Sequence, residues 1–185
     1  MYYLLLLKII AFFLIKFATY LSSYIKIYAY CLLPNHFHFL IQVKSEETIR
    51  KNVIENEKMA QYKFASVATI LSETFRRFFI TYAKAFNKEQ DRRGSLFQKD
   101  FKRILVDNEA HFTRLIYYIH ANPLKHGYQK NFVNYSYSSY QRILNPKPTQ
   151  LQKKYVLNWF GGRKNYIDFH KRVCKWADME YLLLE

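Results

Sequence analysis

Acidic side chains are scarce in this chain: its 185 residues hold 14 Asp and Glu against 29 Lys and Arg, a formal net charge of +15. A globular chain this basic points to a polyanionic partner, with nucleic acid the first candidate, although a generally basic soluble protein would show the same balance. Cysteine is nearly missing. Cys31 and Cys174 lie far apart and form no metal-ligand spacing, which excludes a disulfide framework and suggests a reducing compartment. With four Gly and four Pro, the chain is not loop-dominated or of low complexity. Long uninterrupted apolar runs are lacking too. Residues Met1 to Ile15 are almost wholly apolar, but Lys8 and Lys16 break the stretch and no A-x-A-like cleavage site follows. The expectation is a core helix to about Ser22 and no stable membrane association; an N-terminal membrane anchor is the minority alternative.

What the chain has in abundance is rings. Aromatics make up 19% of it, including 17 Tyr and 16 Phe, too rich in large apolar groups for disorder. Beside the positive charge they suit single-stranded nucleic acid, where bases stack on rings while Lys and Arg track phosphates. Most of the rings nevertheless belong to a core. The length fits one domain.

Along the chain, Ile25 to Leu33 is β-branched and aromatic and ends at the turn signal Pro34-Asn35, so His36 to Val43 reads as its antiparallel partner. From about Glu47 to Asn87 the pattern is helical, with a break near Glu57 and a stripe of Phe64, Val67, Ala68, Leu71, Phe75, Phe78 and Phe79. Lys88 to Gly94 is a charged loop, and Ser95 to Val106 reads as a strand. Asp107-Asn108 offers an N-cap for a helix over roughly Glu109 to Ala121, expected to stop near Asn122-Pro123. His126-Gly127 is a turn, and two short helices separated by Gly161-Gly162 are expected beyond Leu151.

The segment Pro34-Asn35-His36-Phe37-His38-Phe39-Leu40-Ile41 carries the most chemistry. Side chains alternate along a strand, so His36, His38 and Leu40 share one face while Phe37, Phe39 and Ile41 take the other, where they can enter a core. Two imidazoles on one face are two legs of a divalent metal site, or else a pair of half-buried histidines with no ligand. On the helix that follows, Phe112, Leu115, Ile116 and Ile119 form one apolar stripe. Tyr118 and Asn122, one turn apart, lie together on its flank with His111 close by, and Tyr117 points roughly the other way. A tyrosine hydroxyl beside a metal on a basic protein suggests attack on phosphorus and a covalent phosphotyrosyl link. Asn122 could then supply a third, oxygen ligand.

Four segments together resemble one family: Tyr30 to Ile41 (YCLLPNHFHFLI), Gly94 to Val106 (GSLFQKDFKRILV), Tyr118 to Gly127 (YIHANPLKHG) and Tyr137 to Tyr140 (YSSY). With Trp159-Phe160-Gly161-Gly162 they span roughly residues 25–170, and their combined order is similar to that of the single-tyrosine HUH transposases, in particular the REP-associated branch. The resemblance implies an α+β, ferredoxin-like domain whose antiparallel sheet is flanked by helices, over residues 1–145, with a C-terminal helical extension, 146–185, packed on it. It implies His36 and His38 as metal ligands, Asn122 at the third ligand position and Tyr118 as nucleophile. It further implies Mg²⁺ or Mn²⁺ as cofactor and single-stranded hairpin DNA as partner, cleaved to a 5′-phosphotyrosine and a free 3′-hydroxyl. Arg92, Arg93, Lys99, Lys102, Arg103, Lys125 and Lys130 surround the motifs and are expected to meet DNA phosphates. A bacterial cytoplasmic, nucleoid-associated monomer or homodimer follows from the same likeness. One departure stands out: the family's first strand has no counterpart ahead of the first helix, as if the chain were N-terminally truncated, which would leave a sheet edge bare. That departure favours the other reading, a hairpin-binding protein that no longer cuts.

Overall fold

The computed structural model describes residues 2–98, 102–107 and 109–172, an α+β chain in two compact units. The first unit comprises residues 1–26 and 43–101 and is built on three helices, α1 (Tyr2–Leu21), α2 (Glu46–Glu55) and α3 (Val67–Glu89). Both later helices start at a serine. The Ser45 and Ser66 hydroxyls accept from the Thr48 and Thr69 backbone N–H groups, satisfying donors that the first helical turn leaves free.

The core of this unit is aromatic. Phe13 and Phe17 of α1 meet Phe78 of α3 edge-on, with ring centroids 5.1 and 5.3 Å apart, and Phe13 meets Tyr82 at 4.9 Å. The buried line of α3 is Ile70, Thr74, Phe78 and Tyr82, at i, i+4, i+8 and i+12. The expected stripe is therefore rotated. Phe75 and Phe79 flank the line half-buried, and Phe64 precedes the helix altogether and is 89% exposed. Thr74 escapes a pattern search because it is polar, yet its hydroxyl is satisfied internally by the Ile70 carbonyl, so its burial costs little. Among the described residues no helix is long and apolar enough to cross a membrane.

The second unit, residues 27–42 and 102–185, holds the hairpin of β1 (Ile25–Leu32) and β2 (Phe37–Val43), then α4 (Glu109–Lys125), α5 (Tyr140–Leu144), α6 (Lys153–Trp159) and α7 (Arg163–Lys171). The two strands form the antiparallel sheet, closed at the turn by the Leu33 N–H on the His36 carbonyl at 2.8 Å. The other edge of β1 is not bare. It exchanges backbone hydrogen bonds with the YSSY segment, where the Leu32 N–H meets the Tyr137 carbonyl at 3.0 Å and the Ser139 N–H meets the Tyr30 carbonyl at 2.9 Å. Further along, the Gln152 N–H takes the Ile27 carbonyl at 2.8 Å. Short irregular segments thus satisfy polar groups that a neighbouring strand would otherwise take.

Two expectations fail here. The segment Ser95 to Val106 contains no strand among its described residues, and 102–107 is exposed throughout, Leu105 by 85%. Ile104, Leu105 and Val106 are consecutive, so a pleated strand would send them to opposite faces and bury neither face cleanly. Helix α4 also does not stop before Pro123; it runs through it to Lys125. The proline ring removes one N–H, and the loss is confined to the final turn because a glycine closes the helix two residues beyond Lys125. With Gly127 at φ 70°, its N–H bonds the Leu124 carbonyl at 3.1 Å and the Tyr128 N–H bonds the Pro123 carbonyl at 2.8 Å. This double closure is the Schellman arrangement, which needs a left-handed residue where glycine stands.

The pair of C-terminal helices around Gly161-Gly162 is as expected. Trp159 at the end of α6 meets Phe112 with the rings tilted and their centroids 4.0 Å apart, and Phe169 and His170 of α7 lie against Tyr117.

Candidate metal and nucleophile site

Strand β2 and helix α4 carry the site, and both belong to the second unit. His36 and His38 stand on one face as the alternation requires, their rings 5.0 Å apart between centroids and nearly perpendicular. Their face is the more enclosed one: His38 and Leu40 are buried, whereas Phe37, Phe39 and Ile41 are only half-buried. The phenylalanine side is thus the shallower of the two, and the histidine side is the one on which α4 sets Tyr118 against His38. Tyr118 meets His38 edge-on at 5.8 Å between centroids.

The tautomer of His36 follows from its neighbour. Its Nδ1 lies 2.8 Å from the Asn35 side-chain carbonyl oxygen, which can only accept, so Nδ1 carries the proton and Nε2 keeps its lone pair. The Tyr128 hydroxyl donates to the same oxygen at 3.4 Å. An imidazole held by a second group in this way is oriented as metal-binding histidines are.

Asn122 is oriented by its own helix. Its Nδ2 donates to the Tyr118 backbone carbonyl at 2.8 Å, which turns Oδ1 the other way. Asn122 is fully buried, and that oxygen has no hydrogen-bond partner among the described residues. A buried carbonyl oxygen left without a donor costs about 1–3 kcal/mol unless something accepts its lone pairs. The Nε2 atoms of His36 and His38 and the Tyr118 hydroxyl are screened from solvent as well. No three His, Cys, Asp or Glu side chains among the described residues form a metal-holding group. A metal here would therefore rest on two imidazoles and an amide oxygen, a donor set that suits a borderline-to-hard divalent ion with positions open to phosphate oxygens.

Sequence reasoning missed four features of this site. Lys125, expected only as a phosphate contact, lies on the same face of α4 as Tyr118 and Asn122, its ammonium over the Tyr118 ring at 5.4 Å from the centroid. His126 packs edge-on against His36 at 4.8 Å. Asn35 reads in the sequence only as a turn residue. The fourth is a buried chain of hydrogen bonds behind α4. The Tyr30 N–H donates to Ser139 Oγ at 2.9 Å, and Ser139 Oγ lies 2.7 Å from His120 Nε2. His120 Nδ1 lies 3.0 Å from His170 Nε2, and His170 Nδ1 lies 2.8 Å from the Tyr166 carbonyl. Since that carbonyl can only accept, His170 Nδ1 is protonated, its Nε2 accepts from His120 Nδ1–H, and His120 Nε2 accepts from the Ser139 hydroxyl. Every proton is placed with both rings neutral. Burial accordingly pushes His120 well below the usual imidazole range, with His170 beside it adding to the effect, and pushes His170 down to about 4.

The network ties α4 to β1, through Ser139, and to α7, so it fixes the helix that presents Tyr118 and Asn122. Its signal in the sequence was faint, because His120 lies off the apolar stripe and its partners are 19 and 50 residues away. Tyr117 is likewise buried, against Phe132 and α7, so α4 is enclosed on both flanks. Cys31 is buried and its thiol is pushed up by that burial, which leaves it no part in the chemistry.

The basic residues separate. Lys102 and Lys130 are exposed and Lys125 half-buried in the second unit, which also contains the exposed Arg103. Arg92 and Arg93 are exposed in the loop after α3 in the first unit, and Lys99 lies outside the described residues.

Comparison with known proteins gives one informative likeness. The chain is 28% identical over 116 residues to a Haemophilus influenzae protein described as a candidate REP-associated tyrosine transposase, a match covering 62% of this chain. The chain spans 58% of the length of that curated relative. No protein-family model and no solved structure matches.

Proposed function

We propose that this chain is a tyrosine transposase of the REP-associated type, a DNA strand transferase whose nucleophile is Tyr118. The observation that carries the reading is the buried Oδ1 of Asn122, without a hydrogen-bond partner among the described residues and turned away from its own helix, in the unit that also brings His36, His38 and Tyr118 together. The transposase name of the relative supports the same class. His36 and His38, through Nε2, and Asn122, through Oδ1, would hold a Mg²⁺ or Mn²⁺ ion. Such an ion, when bound, polarises the scissile phosphate and offsets its charge.

The chain's own residues do the rest. Asn35 keeps the proton of His36 on Nδ1, and His38 and the fixed helix α4 orient the Tyr118 ring. The Tyr118 oxygen attacks phosphorus in single-stranded hairpin DNA, the bond from phosphorus to the 3′ oxygen breaks, and a 5′-phosphotyrosine remains. One proton leaves the phenol and one is taken up by the 3′ oxygen, so the exchange is reversible and conserves the energy of the phosphodiester. Lys102, Arg103, Lys130, Arg92 and Arg93 contribute phosphate contacts that weaken with salt. Action at the bacterial nucleoid follows from that substrate.

The test is incubation of the purified chain with labelled single-stranded hairpin DNA and Mn²⁺, resolved on a denaturing gel. A covalent band that EDTA removes is the expected result. Hairpin binding without any band would favour a DNA-binding protein that does not cut.

A further inference from the structure

Helix α4 delivers three groups to one face. At about 100° per residue, positions 118, 122 and 125 lie within roughly 60° of one another. Tyr118 contributes the ring, Asn122 the amide oxygen and Lys125 an ammonium over the ring at 5.4 Å from the centroid. The ring also meets the His38 imidazole nearly at right angles, with centroids 5.8 Å apart. Lys125 is also the last residue of α4, in a turn locked by the Gly127 and Tyr128 closures, so its backbone is held where the ring is. An ammonium on a ring face interacts with the ring quadrupole, and the attraction grows when negative charge enters the ring system.

We infer that Lys125 is a positioning residue for the strand-transfer step, offsetting the charge that passes through the Tyr118 phenolic oxygen as the phosphotyrosyl bond forms and again as it breaks. The inference rests on the reading of Tyr118 as nucleophile. Two plainer roles compete with it. A lysine at a helix C-terminus also complements the helix dipole, and a lysine near DNA also contacts phosphate. Each leaves a different signature. A dipole role moves stability, a phosphate contact moves the DNA concentration needed for half-maximal rate, and the role inferred here moves the rate at saturating DNA.

The experiment compares wild type, Lys125→Met and Lys125→Arg in single-turnover adduct formation with hairpin DNA and Mn²⁺, alongside melting temperatures. Rejoining of preformed adduct to a free 3′-hydroxyl strand is measured in the same variants. Lys125→Met should slow the saturated rate about 10-fold, the scale of a desolvated cation over a ring. Rejoining should slow by a similar factor, since the same phenolic oxygen is then the leaving group. Half-saturating DNA and melting temperature should change little, and Lys125→Arg should recover most of the rate. Should the Met variant fail to fold, Lys125→Gln takes its place. A loss confined to half-saturation or to melting temperature, or no loss at all, overturns the inference while leaving Tyr118 as nucleophile. A wild-type chain that forms no adduct overturns both together.

Discussion

The side chain of Asn122 reaches back one helical turn and donates from Nδ2 to the Tyr118 carbonyl at 2.8 Å, so the residue that would hold a metal is aimed by the residue that would attack. The bond fixes which end of the amide faces away from α4. That leaves Oδ1 buried one helical turn from Tyr118, with no hydrogen-bond partner among the described residues.

Replacing Asn122 by Leu should therefore separate stability from ligand binding. It removes one hydrogen bond, worth about 1 kcal/mol, and also removes an unsatisfied buried oxygen of comparable cost. Without metal, melting should stay within about 1 kcal/mol of wild type. With Mn²⁺ at about 100 times its dissociation constant, wild type should gain about 2.7 kcal/mol, and the variant should lose most of that gain. Thermal denaturation with and without Mn²⁺ reads both. An undiminished gain would remove Asn122 from the ligand set.

Asn35→Ala removes the acceptor that holds the His36 proton on Nδ1. Metal affinity should fall by about 10-fold, the low end of what such outer partners contribute, because Asn35 is exposed and water can replace it in part. Calorimetric titration with Mn²⁺ checks this, and an unchanged affinity would mean that the Asn35 contact is incidental.

The buried pair His120 and His170 should make the fold sensitive to acid. Both are held below the ordinary imidazole range of about 6.5, His170 at about 4. The unfolded chain therefore takes up protons on these rings first as pH falls. Stability is fully present above about pH 6.5 and is lost as pH drops from there towards 4, by roughly 3 kcal/mol for His170 alone. Urea unfolding between pH 7 and pH 4 measures it. A His170→Phe variant should flatten part of that slope, and an unchanged slope would place the acid sensitivity elsewhere.

In the first unit, Phe78 is fully buried against Phe13, Phe17 and Tyr82. Phe78→Ala should cost about 3–5 kcal/mol through lost burial and the cavity left behind. Chemical denaturation checks it, and a loss under 1 kcal/mol would mean that the α1–α3 seam collapses readily around the gap.

The sequence made the hairpin legible because Pro34-Asn35 separates two β-branched, aromatic runs, and made the helices legible through their apolar periodicity and the Gly161-Gly162 break. The alternation that pairs His36 with His38, and the one-turn spacing of Tyr118 and Asn122, needed no structure. What resisted reading was settled by partners distant in the chain. The depth of the histidine face depends on α4 lying over it, a contact that alternation within β2 does not encode. The apolar run at Ile104 to Val106 has strand composition but, among the described residues, no strand to pair with. Pro123 signalled a helix end, and the glycine closure four residues later allowed one more turn, the turn that brings Lys125 over the Tyr118 ring. His120 was passed over because its role lies in a hydrogen-bond chain to Ser139 and His170, and no local spacing announces such a chain.

The most direct test of the central claim is to digest the covalent protein–DNA adduct with trypsin and nuclease and locate the residual nucleotide by mass spectrometry. The account predicts a phosphodeoxynucleotide on Tyr118 and on no other residue, and loss of the adduct in Tyr118→Phe with hairpin binding retained. A nucleotide found on Tyr117 or another side chain, or an adduct that survives in Tyr118→Phe, would contradict it.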